Sequence, residues 1–367
     1  WTIPSSFEHI APKDISDYFN SLRKLTLDFL EQKPELVLEL LENNTGNIIY
    51  TEILEFIELK IDVFRKKDWE FINRIQNSLR HLISFCYLEK EKKENKSSVK
   101  LINKAKKVIK DIGSNVLSEK YAWLFSNDPV LPESKEWDWT EKEKRIKSLR
   151  EDAIKNIIKN NNNLTEITKL CELSEQPSIV GSTLSFISQE EISQEDIIKE
   201  LLSEKPYAKE FALGYISEEF CSKGFKWLKS IIENLLKDKH DKEAIDALTS
   251  VRSTPEIRKY IMAKPEPISN LYWQKVGHIF KDDIEDDSDF SIAIVNLLNV
   301  NRWDAAIRLS QAGSRRKPEV GKTIDYLRIL QHGLVAFDDE VKKVFNGPLG
   351  SRSIAGIFGH LDSCKDA

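Results

Sequence analysis

Two short segments carry the side chains that bind phosphates or metal ions in other proteins. Gly321-Lys322-Thr323 ends like a phosphate-binding loop, but the first glycine that such a loop requires is replaced by Arg316. The acidic run 282–289 offers oxygen ligands, but a calcium loop needs Gly where Phe290 stands and Glu where Asn296 stands. We interpret the run as carboxylates that favour the positive end of the next helix, with a weakly held cation as the alternative. The sequence therefore predicts no cofactor and no metal site.

Arg74 and His81 are separated by six residues in a segment with helical periodicity. Seven positions are about two helical turns, so both side chains would lie on one face, as general acid–base chemistry requires. The spacing resembles the loose Arg-to-His motif of the all-α HEPN ribonucleases, although Ile75 replaces the polar residue that usually follows the arginine. We favour a solvated or salt-bridged face, with HEPN-like RNA cleavage as the alternative.

Lysines and tryptophans provide two candidate binding segments. The lysines from Lys90 to Lys110 could bind a phosphate backbone, but glutamates interleave with them, which favours a solvated segment over nucleic-acid binding. Trp137 and Trp139 flank Asp138 where no helical stripe could bury both rings, so we expect at least one to be partly exposed. These two tryptophans are the predicted interaction residues, and the alternative is that they hold a loop on the helices.

No catalytic residue is predicted. The histidines show no metal-ligand spacing on a helix, and no Ser, His and Asp arrangement can be singled out. An enzyme is therefore the less favoured class.

Helical periodicity runs through most of the chain. Apolar residues recur every three or four positions from Ile15 to Phe29, after Pro34, over 48–64 and over 69–88. Each of these stripes is predicted to be buried. Because no segment alternates apolar and polar residues, the sequence predicts an all-α fold. Further helix starts are predicted at Ser188, Ser193, Pro206 and Thr254.

The predicted organisation has three parts. Residues 1–112 form an N-terminal helical bundle, 113–140 an aromatic and proline-containing connector, and 141–367 a helical-repeat region expected to be an α-solenoid of antiparallel helix pairs. Thr140 and Glu143 form a capping-box pattern that restarts a helix after the connector.

The composition favours a folded chain without one dominant charge. The 367 residues are 40% apolar and 31% charged with a net charge of -5, which excludes a disordered chain and a global attraction to nucleic acid or anionic membrane. Since no uninterrupted apolar stretch could cross a bilayer, we expect a cytoplasmic protein without membrane contact. The chain starts at Trp1 and holds one methionine, Met262, so we expect a fragment of a longer protein. The four cysteines are predicted to be free, and the first three to be buried: Cys86, Cys171, Cys221 and Cys364.

Five short phrases, at 121–125, 128–133, 177–181, 271–273 and 301–306, resemble the helical-repeat (HEAT-like) region of large bacterial antiphage proteins of the STAND-like type. In such proteins a nucleotide-hydrolysing core is coupled to a helical array that senses a foreign protein. The resemblance implies a non-catalytic protein-binding scaffold or sensor region, part of a larger defence-type protein, with a protein partner. It carries no catalytic residue to this chain.

Overall fold

A computed structural model describes residues 12–43, 50–92, 96–132, 138–161, 164–187 and 192–313. The prediction of an all-α chain is confirmed, since the described residues form helices and no strand. The chain divides into two compact units, 1–183 and 184–367. The three-part division at 112 and 140, and the solenoid arrangement, stay predictions.

The first unit begins with a helical bundle and continues into shorter helices. Its helices are α1 (Pro12–Gln32), α2 (Leu36–Glu42), α3 (Tyr50–Leu59), α4 (Ile61–Phe64), α5 (Trp69–Lys92), α6 (Lys96–Ile112), α7 (Leu117–Tyr121), α8 (Trp139–Asn161), α9 (Leu164–Leu173) and α10 (Pro177–Ser185), the last reaching past the division, with a 3₁₀ turn at Ala122–Phe125. Segment 48–64, predicted as one helix, is interrupted at Lys60 between α3 and α4.

The core of the bundle lies where α5 packs on α2 and α6, and α6 on α3. The Gln76 side chain donates to the Ile109 carbonyl across this contact, at 3.0 Å. α6 ends just before Gly113, as predicted, and a Cβ at that position would lie 3.0 Å from the same carbonyl oxygen. The same Cβ would lie 3.2 Å from the Gln76 Nε2 of α5, so glycine leaves room for this side chain at the end of α6.

The predicted inward face of α1 is wrong. Leu25 and Phe29, the last members of the predicted stripe, are 66% and 52% exposed, whereas Leu30 is buried and Leu27 packs on the core. Since successive helical residues are about 100° apart, positions 27 and 30 define a different face from positions 25 and 29. The side chains of Ile15, Tyr18 and Leu22 lie outside the described residues.

The second unit is a series of helices in which neighbours along the chain pack together. They are α11 (Gln194–Lys199), α12 (Pro206–Lys237), α13 (Asp241–Thr249), α14 (Pro255–Met262), α15 (Glu266–Lys275), α16 (Asp287–Asn299) and α17 (Trp303–Gly313), with 3₁₀ turns at Glu200–Leu202 and Lys281–Asp283. α12 packs on α13, α13 on α15, and α16 on α17. Three predicted starts are confirmed: Ser193 and Thr254 cap α11 and α14, and Pro206 opens α12. The start predicted at Ser188 lies outside the described residues.

A break in α12 corrects one of the cysteine predictions. Gly224 has φ 71° and ψ -172°, outside the helical region, so the apolar stripe does not keep its phase across it. Leu228 and Ile232 beyond the break are buried, but Cys221 before it is exposed. Cys86 and Cys171 are buried free thiols as predicted, and Cys364 lies outside the described residues.

Candidate protein-interaction site

Trp139 is the first residue of α8, and the residue before it, Asp138, caps this helix. The Asp138 Oδ1 accepts a hydrogen bond from the Glu141 backbone N–H at 2.8 Å. The cap is therefore Asp138, and the predicted capping role of Thr140 is wrong, because the Asp138 carboxylate already serves the first turn. The cap therefore lies two residues earlier than predicted, and the indole is on the first turn of α8.

The segment before α8 is held to the helix by two cationic side chains. Arg150 donates from Nε to the Leu124 carbonyl at 2.8 Å and from a terminal nitrogen to the Ser126 carbonyl at 2.7 Å. Burial lowers the pKa of Arg150 from its ordinary value. Lys142 forms an ion pair with Asp128 at 2.5 Å. These contacts fix the backbone of 124–128 against the first half of α8.

The Trp139 ring is 66% exposed, which is a large fraction for an indole. The Lys142 ammonium lies 5.9 Å from its ring centroid, within cation–π distance. Asp128, Asp138 and Glu141 are exposed in the same part of the chain. Trp139 thus presents an apolar surface among carboxylates, while Trp137 lies outside the described residues.

Arg74 and His81 line one cleft of about 460 Å³ on the first unit. Glu42 holds the Arg74 guanidinium with two hydrogen bonds, of 3.0 and 2.8 Å. The contact raises the pKa of Arg74, chiefly through the hydrogen bond to Glu42. The Glu42 carboxylate balances the positive charge that Arg74 would have to offer to a scissile phosphate. The contacts of Arg74 therefore fit the salt-bridged face better than the ribonuclease alternative.

Two lysines of α6 are paired with acidic residues of α3. Lys104 pairs with Glu55 at 2.6 Å, and Lys107 with Glu58 at 2.9 Å. These ion pairs balance lysine charge within the bundle, which weighs against a phosphate-binding face. The predicted basic amphipathic helix itself is present as α6.

The acidic run 282–289 has a role that the sequence did not reveal. Asp289 binds the fully buried Arg258 through both carboxylate oxygens, and Asp283 pairs with Arg252. Asp286 caps α16 by accepting from the Asp289 backbone N–H at 2.8 Å, so part of the run favours the helix start as predicted. Arg258 and Arg252 are the residues that the sequence reasoning missed.

The remaining chemical candidates add no site. Gly321-Lys322-Thr323 lies outside the described residues. In the described part of the chain, no group of three or more His, Cys, Asp or Glu side chains is placed to hold a metal ion. No described helix is both long and apolar enough to cross a membrane. No protein-family model matches the chain, nor does any curated protein or solved structure.

Proposed function

We propose that this chain is a non-catalytic, cytoplasmic protein-binding scaffold or sensor region of a larger bacterial defence-type protein, and that Trp139 anchors its protein partner. The observation that carries the proposal is the 66% exposed indole on a fixed helix start. The likeness of the five short phrases to antiphage helical-repeat regions supplies the defence context.

Physical chemistry favours binding at Trp139 over simple exposure. Tryptophan is the residue type most enriched among energetically dominant interface residues, because it buries a large apolar area with few rotatable bonds. The Asp138 cap holds the backbone at the start of α8, so less backbone entropy is lost when a partner covers the indole. Trp137 is included in the proposed surface by its position in the sequence.

A variant comparison tests the proposal. The full chain, Trp139→Ala and Leu59→Ala are used as baits in a bacterial lysate, and the affinity of any enriched protein is then measured with purified components. Leu59 is a matched control because it is 74% exposed in the same unit. We expect Trp139→Ala to weaken binding by about 2 kcal/mol or more, roughly thirty-fold, and Leu59→Ala to leave it unchanged.

Two results would count against Trp139 as the anchor. One is a partner that binds wild type and Trp139→Ala equally. The other is a lower melting temperature of Trp139→Ala with unchanged affinity, which would assign the indole a packing role.

The ribonuclease alternative has one supporting observation, since Arg74 and His81 share a cleft with Asn77 and Ser78. It requires RNA cleavage by the full chain in the presence of a metal chelator. The same cleavage has to be abolished by Arg74→Ala and by His81→Ala, while the helical circular dichroism of both variants stays intact.

A further inference from the structure

The segment between α15 and α16, in the second unit, exposes the aromatic ring of Phe280. Phe280 is 55% exposed and lies in non-helical backbone just before the Lys281–Asp283 turn. The His278 ring meets it edge to face, with ring centroids 4.6 Å apart. The Arg252 guanidinium lies 6.0 Å from the centre of the Phe280 ring. The benzene ring is therefore oriented by neighbours on two sides and open to solvent elsewhere.

Arg258 holds the end of this segment that leads into α16. Its guanidinium donates to the Asp283 carbonyl at 2.6 Å and to the Ser253 carbonyl at 2.6 Å, and it binds Asp289 through both carboxylate oxygens. The arginine is fully buried, and Tyr272 completes the cluster with a 2.8 Å hydrogen bond to the Ser253 hydroxyl. Burial is the main cause that raises the pKa of Tyr272 to about 12, so its hydroxyl stays protonated at neutral pH.

Further contacts fix the near end and the phenylalanine itself. Arg302 donates to the carbonyl of Val276, where the segment begins. The Asp283 carboxylate accepts from the Phe280 backbone N–H at 3.0 Å, and the Asp283 N–H donates to the Phe280 carbonyl at 2.9 Å. The exposed ring is thus attached to backbone that is bonded at both ends and at its own amide. Such preorganisation lowers the entropy lost when a partner covers the ring.

The charges around Phe280 indicate what kind of partner would cover it. Asp282, Glu285 and Asp286 are exposed beside the ring in sequence. Two cations of this region are held by carboxylates: Arg252 by Asp283, and Lys259 by Glu285 at 2.8 Å, so one of the three exposed carboxylates already pairs with a lysine. In the sequence, the six acidic residues of 282–289 outnumber the four cations Arg252, Arg258, Lys259 and Lys281, so the charge of this region favours positive charge in a partner.

We propose that Phe280 and its acidic rim form a docking surface for a basic polypeptide segment that carries one large apolar side chain. The apolar side chain covers the Phe280 ring, and Lys or Arg residues beside it meet the exposed carboxylates. This docking surface does not rest on the Trp139 proposal, because it lies in the other unit and uses other residues.

Labelled synthetic peptides test this proposal on the full chain. Each peptide carries one central Leu, Phe or Trp, flanked by Lys and Arg, by Asp and Glu, or by Ser and Gly, and binding is read by fluorescence anisotropy. We expect binding to the basic set, at least tenfold weaker binding to Phe280→Ala, and weaker binding to Asp282→Asn. Met262→Ala is the matched control, because Met262 is an exposed apolar residue of the same unit. Raising the ionic strength to about 1 M should weaken binding, since the screening length falls to about 3 Å.

Three outcomes would overturn the proposal. The first is equal binding of the acidic and basic sets, and the second is equal binding to wild type and Phe280→Ala. The third is a concentration-dependent dimer, seen by size-exclusion chromatography with light scattering, that Phe280→Ala abolishes, because the occupant would then be a second copy of the chain. Trp139→Ala should bind the peptides like wild type, so a failure of one proposal is distinguishable from a failure of the other.

Discussion

Replacing Arg258 with methionine should destabilise the second unit by about 3–5 kcal/mol. The substitution keeps an apolar side chain of similar length but leaves the Asp289 carboxylate buried without its cation. Removing one partner of a buried ion pair typically costs this amount, because the remaining charge cannot regain its hydration. The carbonyls of Asp283 and Ser253 lose their donor as well, which adds to the cost. The loss is a large fraction of the stability of a typical domain, about 5–15 kcal/mol.

Local hydrogen exchange is a suitable assay because the chain has two compact units, so a single unfolding transition cannot be assumed. Mass spectrometry of peptides from α14 and α16 reports the opening of the second unit alone. A loss of 3–5 kcal/mol corresponds to roughly a hundred-fold to several-thousand-fold faster exchange, where exchange reports the opening equilibrium. Lys259→Met is the matched control, since Lys259 is the next residue and its side chain, paired with Glu285, is 66% exposed. We expect no resolvable effect from that change.

The double variant Arg258→Met with Asp289→Leu separates the buried charge from simple loss of packing. Replacing both members of a buried pair by apolar residues is often tolerated, so the double variant should be more stable than Arg258→Met alone. The reasoning would be refuted if Arg258→Met exchanged no faster than Lys259→Met. It would also be refuted if the stability losses of Arg258→Met and Asp289→Leu, each measured alone, simply added in the double variant.

Two further predictions concern the same unit. Gly224→Ala should cost roughly 1–3 kcal/mol, measured as faster hydrogen exchange of peptides from α12, because φ 71° with ψ -172° is adopted almost only by glycine. The cost is one of backbone strain, since a Cβ there would meet no atom within 4 Å. Hydrogen bonds from Lys264 and Tyr260 lower the pKa of Glu233 in the folded chain. The stabilisation that Glu233 provides is therefore present above the unfolded pKa of about 4.3, and it is lost as the pH falls through the lower folded pKa. Glu233→Gln should therefore lower the melting temperature at about pH 7, and the difference from wild type should shrink in acid.

Local signals predicted the helical class and several helix starts. A capping side chain bonds a backbone N–H within the same turn, so Ser193 and Thr254 could be identified without knowledge of any distant residue. The identity of the buried face was harder to predict. In α1 the pairs Leu25/Phe29 and Leu27/Leu30 are both apolar and spaced for a helix, and only packing against α3 decides between them.

The Arg258 cluster could not be predicted because its members are far apart in the sequence. Arg258 and Asp289 are 31 positions apart, and a single sequence gives no signal that pairs them. The acidic run is evident in the sequence, but its carboxylates indicate only a helix start or a bound cation. Phe280 was missed although it has the feature that identified Trp139, an aromatic residue in a segment without helical period.

The regions around the exposed rings of Trp139 and Phe280 share one structural feature. Near Trp139, Arg150 donates to the carbonyls of Leu124 and Ser126; near Phe280, Arg258 donates to two carbonyls of other segments. Non-helical backbone leaves acceptors that must be satisfied when they are buried, and a planar guanidinium can serve two of them at once. Lysine carries its three donors on one nitrogen at the end of a flexible stem, so it holds two carbonyls in a less rigid geometry than the planar guanidinium does. In both regions an arginine thus holds backbone through hydrogen bonds that the exposure of a ring alone would not require.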